Sequence, residues 1–149
     1  MKDNRLKWDY IWMNLACNLA LRSTCSNPNR NVGCIVVDEK NERVLAHGYN
    51  GVASGENHIC EYEKKTLKKN SGDIYTCNCV HAEANCLVKL NKFDWCKKIM
   101  YVTLSPCIMC ARLIINAGIN EVCIKEYYTD ISPIKLLKES GILVRKYEK

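Results

Sequence analysis

The chain has no apolar run approaching the roughly 20 residues a membrane-spanning helix needs, although 48% of its 149 residues are hydrophobic. No leader is expected either. The opening MKDNRLKWDY is polar and charged, without the apolar stretch of a secretory signal, so a cytoplasmic protein with no membrane partner is expected. There is no internal repeat and no low-complexity tract, which excludes repeat architectures and disordered linkers. No basic stripe interleaved with aromatics tracks a nucleic-acid strand, despite a formal net charge of +6. That charge suits a solvated surface or an enzyme that attracts small phosphorylated anions as readily as it suits nucleic acid. The length allows one domain with a real core and is short for two, so residues 1–149 read as one domain.

Cysteine is abundant. Eleven in a reducing compartment need an explanation other than a disulfide framework, which the odd count fits poorly. Metal ligation and burial both serve.

Helical spacing runs from Trp8 to about Cys25, with Ile11, Leu15, Leu19 and Arg22 on successive turns, and the Ser26–Asn29 cluster ends it. Gly33–Asp38 reads as a buried strand, 39–42 as a hairpin turn and Val44–Asn50 as the returning strand. Residues 52–80 show little periodicity and form a cysteine-bearing insert, longer than an unstructured connection is expected to be unless it is functional or tied down. A helix opens at His81 and runs to about Asn91; Lys98–Ser105 is a strand. Pro106 suits a first helical turn, and that helix runs Cys107–Ala117 to Gly118. Glu121–Tyr128 is a strand, Pro133–Glu139 a helix stopped by Gly141, and Ile142–Tyr147 a last strand. The order α-β-β-(insert)-α-β-α-β-α-β predicts an α/β protein with a mixed sheet and helices on both faces.

Two segments carry chemistry. His81-Ala82-Glu83 supplies an imidazole and a carboxylate, and Pro106-Cys107-Ile108-Met109-Cys110 supplies two thiolates. Alone, Cys-x-x-Cys could be a redox pair or two packed thiols. With His81 upstream, the three residues form a zinc site whose open fourth corner admits water, as catalytic rather than structural sites do. Zinc lowers the pKa of such water from about 15.7 to about 7. Both segments sit at predicted helix starts, where the dipole and unpaired N–H groups favour thiolates. Glu83 is then the proton shuttle and the catalytic residue.

The H-x-E…P-C-x-x-C arrangement is the known signature of the zinc nucleobase deaminases. The wider set of segments LALRSTC, NVGCIVV, HGYNG, HAEAN, YVTLSPCIMCARLIINAGI and EYYTD resembles the deoxycytidylate deaminase family over nearly the whole chain. This resemblance implies a three-layer α/β/α sandwich with a mixed five-stranded sheet. It also implies a hydrolase that converts dCMP and water to dUMP and ammonia, feeding thymidylate synthesis. In that reading Asn50 holds sugar and base, Ser105 faces the base edge, Tyr128 lies beside the pyrimidine and Arg30 meets the 5′-phosphate. As residue types, Asn50 also suits a turn, Tyr128 sheet packing and Arg30 solvent. Family membership further implies a homo-oligomer, with a hexamer favoured. Activation by dCTP and inhibition by dTTP would act near Gly48, Tyr49, Asn50 and Gly51, with Mg2+ accompanying the effector. Some relatives carry a C-terminal extension that this chain is expected to lack.

Cys25, Cys60, Cys77 and Cys79 resemble the ligands of a second, structural Zn2+ that ties down the insert in some relatives, with His58 a substitute for one of them; scattered free thiols are the alternative. Cys17, Cys34, Cys86 and Cys123 read as small core residues. Three other functions compete: deamination of dCTP, deamination of a base in tRNA or single-stranded DNA, and a catalytically silent zinc or nucleotide-binding module. Glu83 beside three ligands rather than four argues against the last.

Overall fold

The protein is described here by a computed structural model covering residues 4–25, 30–57, 78–91 and 95–148. Its strands are β1 (Gly33–Asp38), β2 (Arg43–Tyr49), β3 (Lys98–Leu104), β4 (Glu121–Glu126) and β5 (Leu143–Lys146). Its helices are α1 (Trp8–Ala20), α2 (Ala82–Leu87), α3 (Ile108–Asn116) and α4 (Ser132–Glu139). The strands form one sheet in the order β2-β1-β3-β4-β5. β1 is antiparallel to both neighbours, and β3, β4 and β5 run parallel. This is the mixed five-stranded sheet expected from the alternation of elements.

β1 is buried along its whole length, so its two faces can be read by alternation. Ile35 and Val37 pack with Trp12, Met13 and Ala16 of α1 and with Tyr101 and Cys123. Cys34 and Val36 point the other way, into a larger core with Ala82 and Cys86 of α2, Ala111 and Ile114 of α3 and Ile134 and Leu137 of α4. The result is three layers: one helix, the sheet, three helices. Cys34, Cys86 and Cys123 are the small core residues expected, and Cys17 lies at the edge of the α1 layer.

Several boundaries differ from the sequence reading. α1 stops at Ala20 rather than near Cys25, in a tightened turn where Arg22 N–H donates to Leu19 and Ser23 N–H to Ala20. Its buried face is Trp12, Met13, Ala16 and Ala20, while Ile11 and Leu15 stay exposed. Close approach decides this: a Cβ on Gly33 would lie 1.9 Å from the Ala16 carbonyl oxygen, so backbone meets backbone there and only small side chains fit between. α2 stops at Leu87, because the Lys89 and Leu90 N–H groups close on carbonyls three residues back, and Val88 is left 81% exposed instead of packing. Pro106 precedes the cap of α3 and lies outside its first turn. The Gly118 and Gly141 stops hold, each with positive φ (68° and 82°).

The insert has a closed neck. Gly51 and Val80 exchange both backbone hydrogen bonds, at 3.1 and 2.8 Å. Asn85 of α2 donates to the Tyr49 carbonyl at 3.0 Å, and Asn78 donates to the Asn57 carbonyl at 2.9 Å.

Beneath the α1 layer, Arg145 forks onto Asp9 at 2.7 and 3.0 Å and reaches Glu121 at 2.5 Å. Burial pushes the Asp9 carboxyl up, but hydrogen bonds from Arg145 and Tyr101 outweigh it and leave it below its ordinary 3.8. A depressed carboxyl contributes stability that is present above its unfolded value and lost as pH falls through the folded one. Asp9→Asn is therefore expected to flatten the decline of melting temperature below about pH 4. An acid limb of unchanged steepness would show that the pair contributes nothing. The effect is modest, since both partners are part-exposed.

Candidate active site

Parallel β3 and β4 deliver their C-terminal ends to one edge of the sheet, where open α/β sheets place their ligands. Three helix N-termini meet the same edge. His81 is the N-cap of α2 and Cys107 that of α3, while Asp130 precedes α4. Between them lies a cavity of about 390 Å3, lined among others by Arg30, Val32, Asn50, His81, Glu83, Leu104, Ser105, Cys107, Tyr128 and Asp130.

His81 Nδ1 lies 3.5 Å from Cys107 Sγ and 3.5 Å from Cys110 Sγ. Zinc at about 2.3 Å from sulfur and about 2.0 Å from nitrogen, in tetrahedral array, would hold N and S about 3.5 Å apart. Both nitrogen–sulfur spacings therefore match those the ion would impose, and all three ligand atoms lie within 4.8 Å of one another. Among the described residues they are the only cluster of three metal-ligating side chains. Cys107 Sγ also accepts from the Cys110 backbone N–H at 3.4 Å, an N-cap bond made by sulfur. The Cys110 thiol and then His81 hydrogen-bond to Cys107 and pull its pKa down to about 3. The same bond, together with burial, raises Cys110.

Glu83 projects from the first turn of α2 and is 4% exposed. Burial pushes its carboxyl above the ordinary value, partly offset by a bond to its own backbone N–H and by the charge of His81. A carboxyl so placed takes up a proton more readily than an exposed glutamate does.

The remaining expected site residues divide. Asn50, Ser105, Tyr128 and Arg30 all line the cavity. Asn50 and Ser105 are also internal ties. Asn50 Oδ1 accepts from Val32 N–H at 2.8 Å and its Nδ2 donates to the Arg30 carbonyl at 2.7 Å. This leaves one amide hydrogen and one lone pair for a ligand. Ser105 Oγ accepts from Tyr128 N–H at 2.7 Å, and the Ser105 N–H donates to the Glu126 carbonyl at 2.9 Å, so the loop after β4 is fastened to the end of β3.

Of Gly48, Tyr49, Asn50 and Gly51, only Asn50 reaches the cavity. Gly48 is buried under α2, where a Cβ would lie 2.4 Å from the Ala82 carbonyl oxygen and 2.5 Å from Cys86 N. Its missing side chain serves helix–strand contact. Cys25 and Cys79 share the cavity wall, Cys25 8% exposed. Cys60, Cys77 and His58 lie outside the described residues.

Sequence reasoning missed two residues. Asn85 holds the ends of β2 and of the insert to α2, and nothing but its place in HAEAN marked it. Asp130 lines the cavity and its Oδ1 accepts from Ser132 N–H at 2.9 Å. An acidic residue two places before Ser132-Pro133 was a readable helix-start signal.

The family profile for the cytidine and deoxycytidylate deaminase zinc-binding region matches residues 6–126. The chain is 36% identical to deoxycytidylate deaminase of Saccharomyces cerevisiae over 96% of its own length, and spans 46% of that protein. It is 33% identical to human deoxycytidylate deaminase, covering 98% of this chain and 83% of the human one. The crystal structure of dCMP deaminase from cyanophage S-TIM5 in complex with dCMP and dUMP superposes with a TM-score of 0.75 at 30% identity, covering 96% of this chain and all of that one. Sheet order, ligand spacing and likeness along nearly the whole sequence agree: the chain belongs to the cytidine and deoxycytidylate deaminase family.

Proposed function

We propose that the protein hydrolyses dCMP to dUMP and ammonia with the aid of Zn2+, supplying dUMP for thymidylate synthesis. The observation that carries this reading is His81 Nδ1 set 3.5 Å from each of two cysteine sulfurs, with the buried Glu83 two residues away. When bound, zinc supplies a Lewis acid that makes hydroxide available at neutral pH.

The chain's own groups do the rest. Glu83 takes one proton from water and passes it to the ring nitrogen as the oxygen bonds to the amino-bearing carbon; it then moves the remaining hydroxyl proton to the amino group as the carbon–nitrogen bond breaks, so one water is consumed and one ammonia released. Asn50 uses its remaining donor and acceptor on sugar and base. Tyr128 offers an aromatic face beside the pyrimidine, and the Ser105 hydroxyl still has a proton to donate. Arg30, on the cavity wall, receives the 5′-phosphate. The likeness to a phage enzyme held with dCMP and dUMP supports this substrate.

The test is ammonia release and ultraviolet absorbance change with zinc-replete protein and dCMP, run beside deoxycytidine, cytidine, dCTP and a cytosine-bearing oligonucleotide. Preference for dCMP is expected. Activity confined to dCTP or to the oligonucleotide would move the substrate, and inactivity on all of them with zinc bound, with and without added dCTP, would leave a silent module.

A second, structural Zn2+ at Cys25, Cys60, Cys77 and Cys79 is part of the same proposal, supported by Cys25 and Cys79 sharing one wall. Metal analysis is expected to give about two zinc per chain, falling to about one in Cys25→Ser. About one in the parent would end the idea. Regulation by dCTP and dTTP with Mg2+ and assembly to a hexamer complete the reading. Light scattering, and dCMP turnover with each nucleotide added, test them.

A further inference from the structure

We infer that Asp130 sets the number of phosphates the site accepts, favouring a nucleoside monophosphate over a triphosphate; the inference rests on the deaminase reading above. Two opposite charges stand on the cavity wall away from the ligand cluster, Arg30 and Asp130. No ion pair joins either to another described residue. Among the described residues nothing competes with an anion for the Arg30 guanidinium, and its charge is felt as far in as His81.

Asp130 is exposed, so it stands at the mouth rather than at the floor with Glu83. One of its oxygens is used on α4, accepting from Ser132 N–H at 2.9 Å, and that bond holds the carboxyl below its ordinary value. That bond leaves the second oxygen free of it, on a residue that lines the cavity. The loop that carries it is fastened by the Ser105–Tyr128 bond, so the charge is fixed in place.

The consequence is electrostatic. The N-termini of α2 and α3 are occupied by the metal-ligating residues, and that of α4 by Asp130 itself. A second or third phosphate thus finds no free helix end at this mouth and meets a fixed carboxylate instead. Each added negative charge a few ångströms from Asp130, in high dielectric, weakens binding by a few-fold, and two compound to about tenfold. One guanidinium is enough for a monophosphate.

The test is kcat/KM for deoxycytidine, dCMP and dCTP, each as sole substrate, in the parent, Asp130→Asn and Asp130→Glu. Asparagine keeps an oxygen to cap α4 and removes the charge; glutamate keeps the charge. The ratio of dCTP to dCMP is expected to rise about tenfold in Asp130→Asn and to stay near the parent's in Asp130→Glu, with the Asp130→Asn gain shrinking in 0.5 M salt. A common factor across all three substrates, or equal shifts in both variants, would overturn the role of Asp130. Parent protein inactive on all three would instead overturn the deaminase reading.

Discussion

Glu83→Gln is expected to retain zinc at parental stoichiometry and lose turnover of dCMP by 10²- to 10⁴-fold, the range a positioned proton shuttle contributes. Glutamine has nearly the volume of the buried carboxyl it replaces, so packing under α2 should survive. What it cannot do is carry a proton from water to the ring and on to ammonia. Three nearby ligands remain in place, and the metal should stay. Zinc analysis beside single-turnover kinetics reads both halves at once. A glutamine variant with near-parental turnover would remove Glu83 from the chemistry. Loss of zinc together with activity would make it a ligand or a support of one.

Gly48→Ala should damage stability and metal binding together. The added methyl would arrive 2.4 Å from the Ala82 carbonyl oxygen and 2.5 Å from Cys86 N, both backbone atoms of α2, which cannot yield as a side-chain tip can. Overpacking of this kind costs about 1–3 kcal/mol, and a backbone contact belongs at the upper end. Because α2 is capped by His81 and carries Glu83, pushing it off β2 also moves one metal ligand and the proton shuttle. Urea unfolding and chelator competition for zinc should therefore both shift. If folding and zinc affinity stay parental while the response to dCTP and dTTP vanishes, Gly48 belongs to an effector site and its packing is incidental.

Much of the fold is written in short-range patterns. β1 is legible as GCIVVD because a strand buried on both faces needs an unbroken apolar run, and α3 is bracketed by Pro106 and Gly118. The metal cluster is legible because few residue types can ligate zinc and the spacing of Cys107 and Cys110 is fixed by one helix start. The face that α1 buries is not legible. Ile11 and Leu15 are the stronger apolar residues, but Gly33, on another element, admits the alanines instead. Nor are the ties of Asn50 and Ser105. Their bonds join residues 18 to 23 positions apart and exist only once separate loops meet. Composition cannot show a side chain holding a wall in place as well as facing a ligand.

The Gly51–Val80 neck has a consequence for how such a chain can vary. The chain between these residues starts and ends at one rung, and among the described residues that line the cavity only Cys79 lies beyond that rung. The entropic cost of closing a segment at that rung grows only slowly with its length. The registers of β1, β2 and α2 need not follow. The neck therefore works as a socket: a lineage could exchange metal clips, effector pockets or partner contacts there while the hydrolytic machinery stays the same.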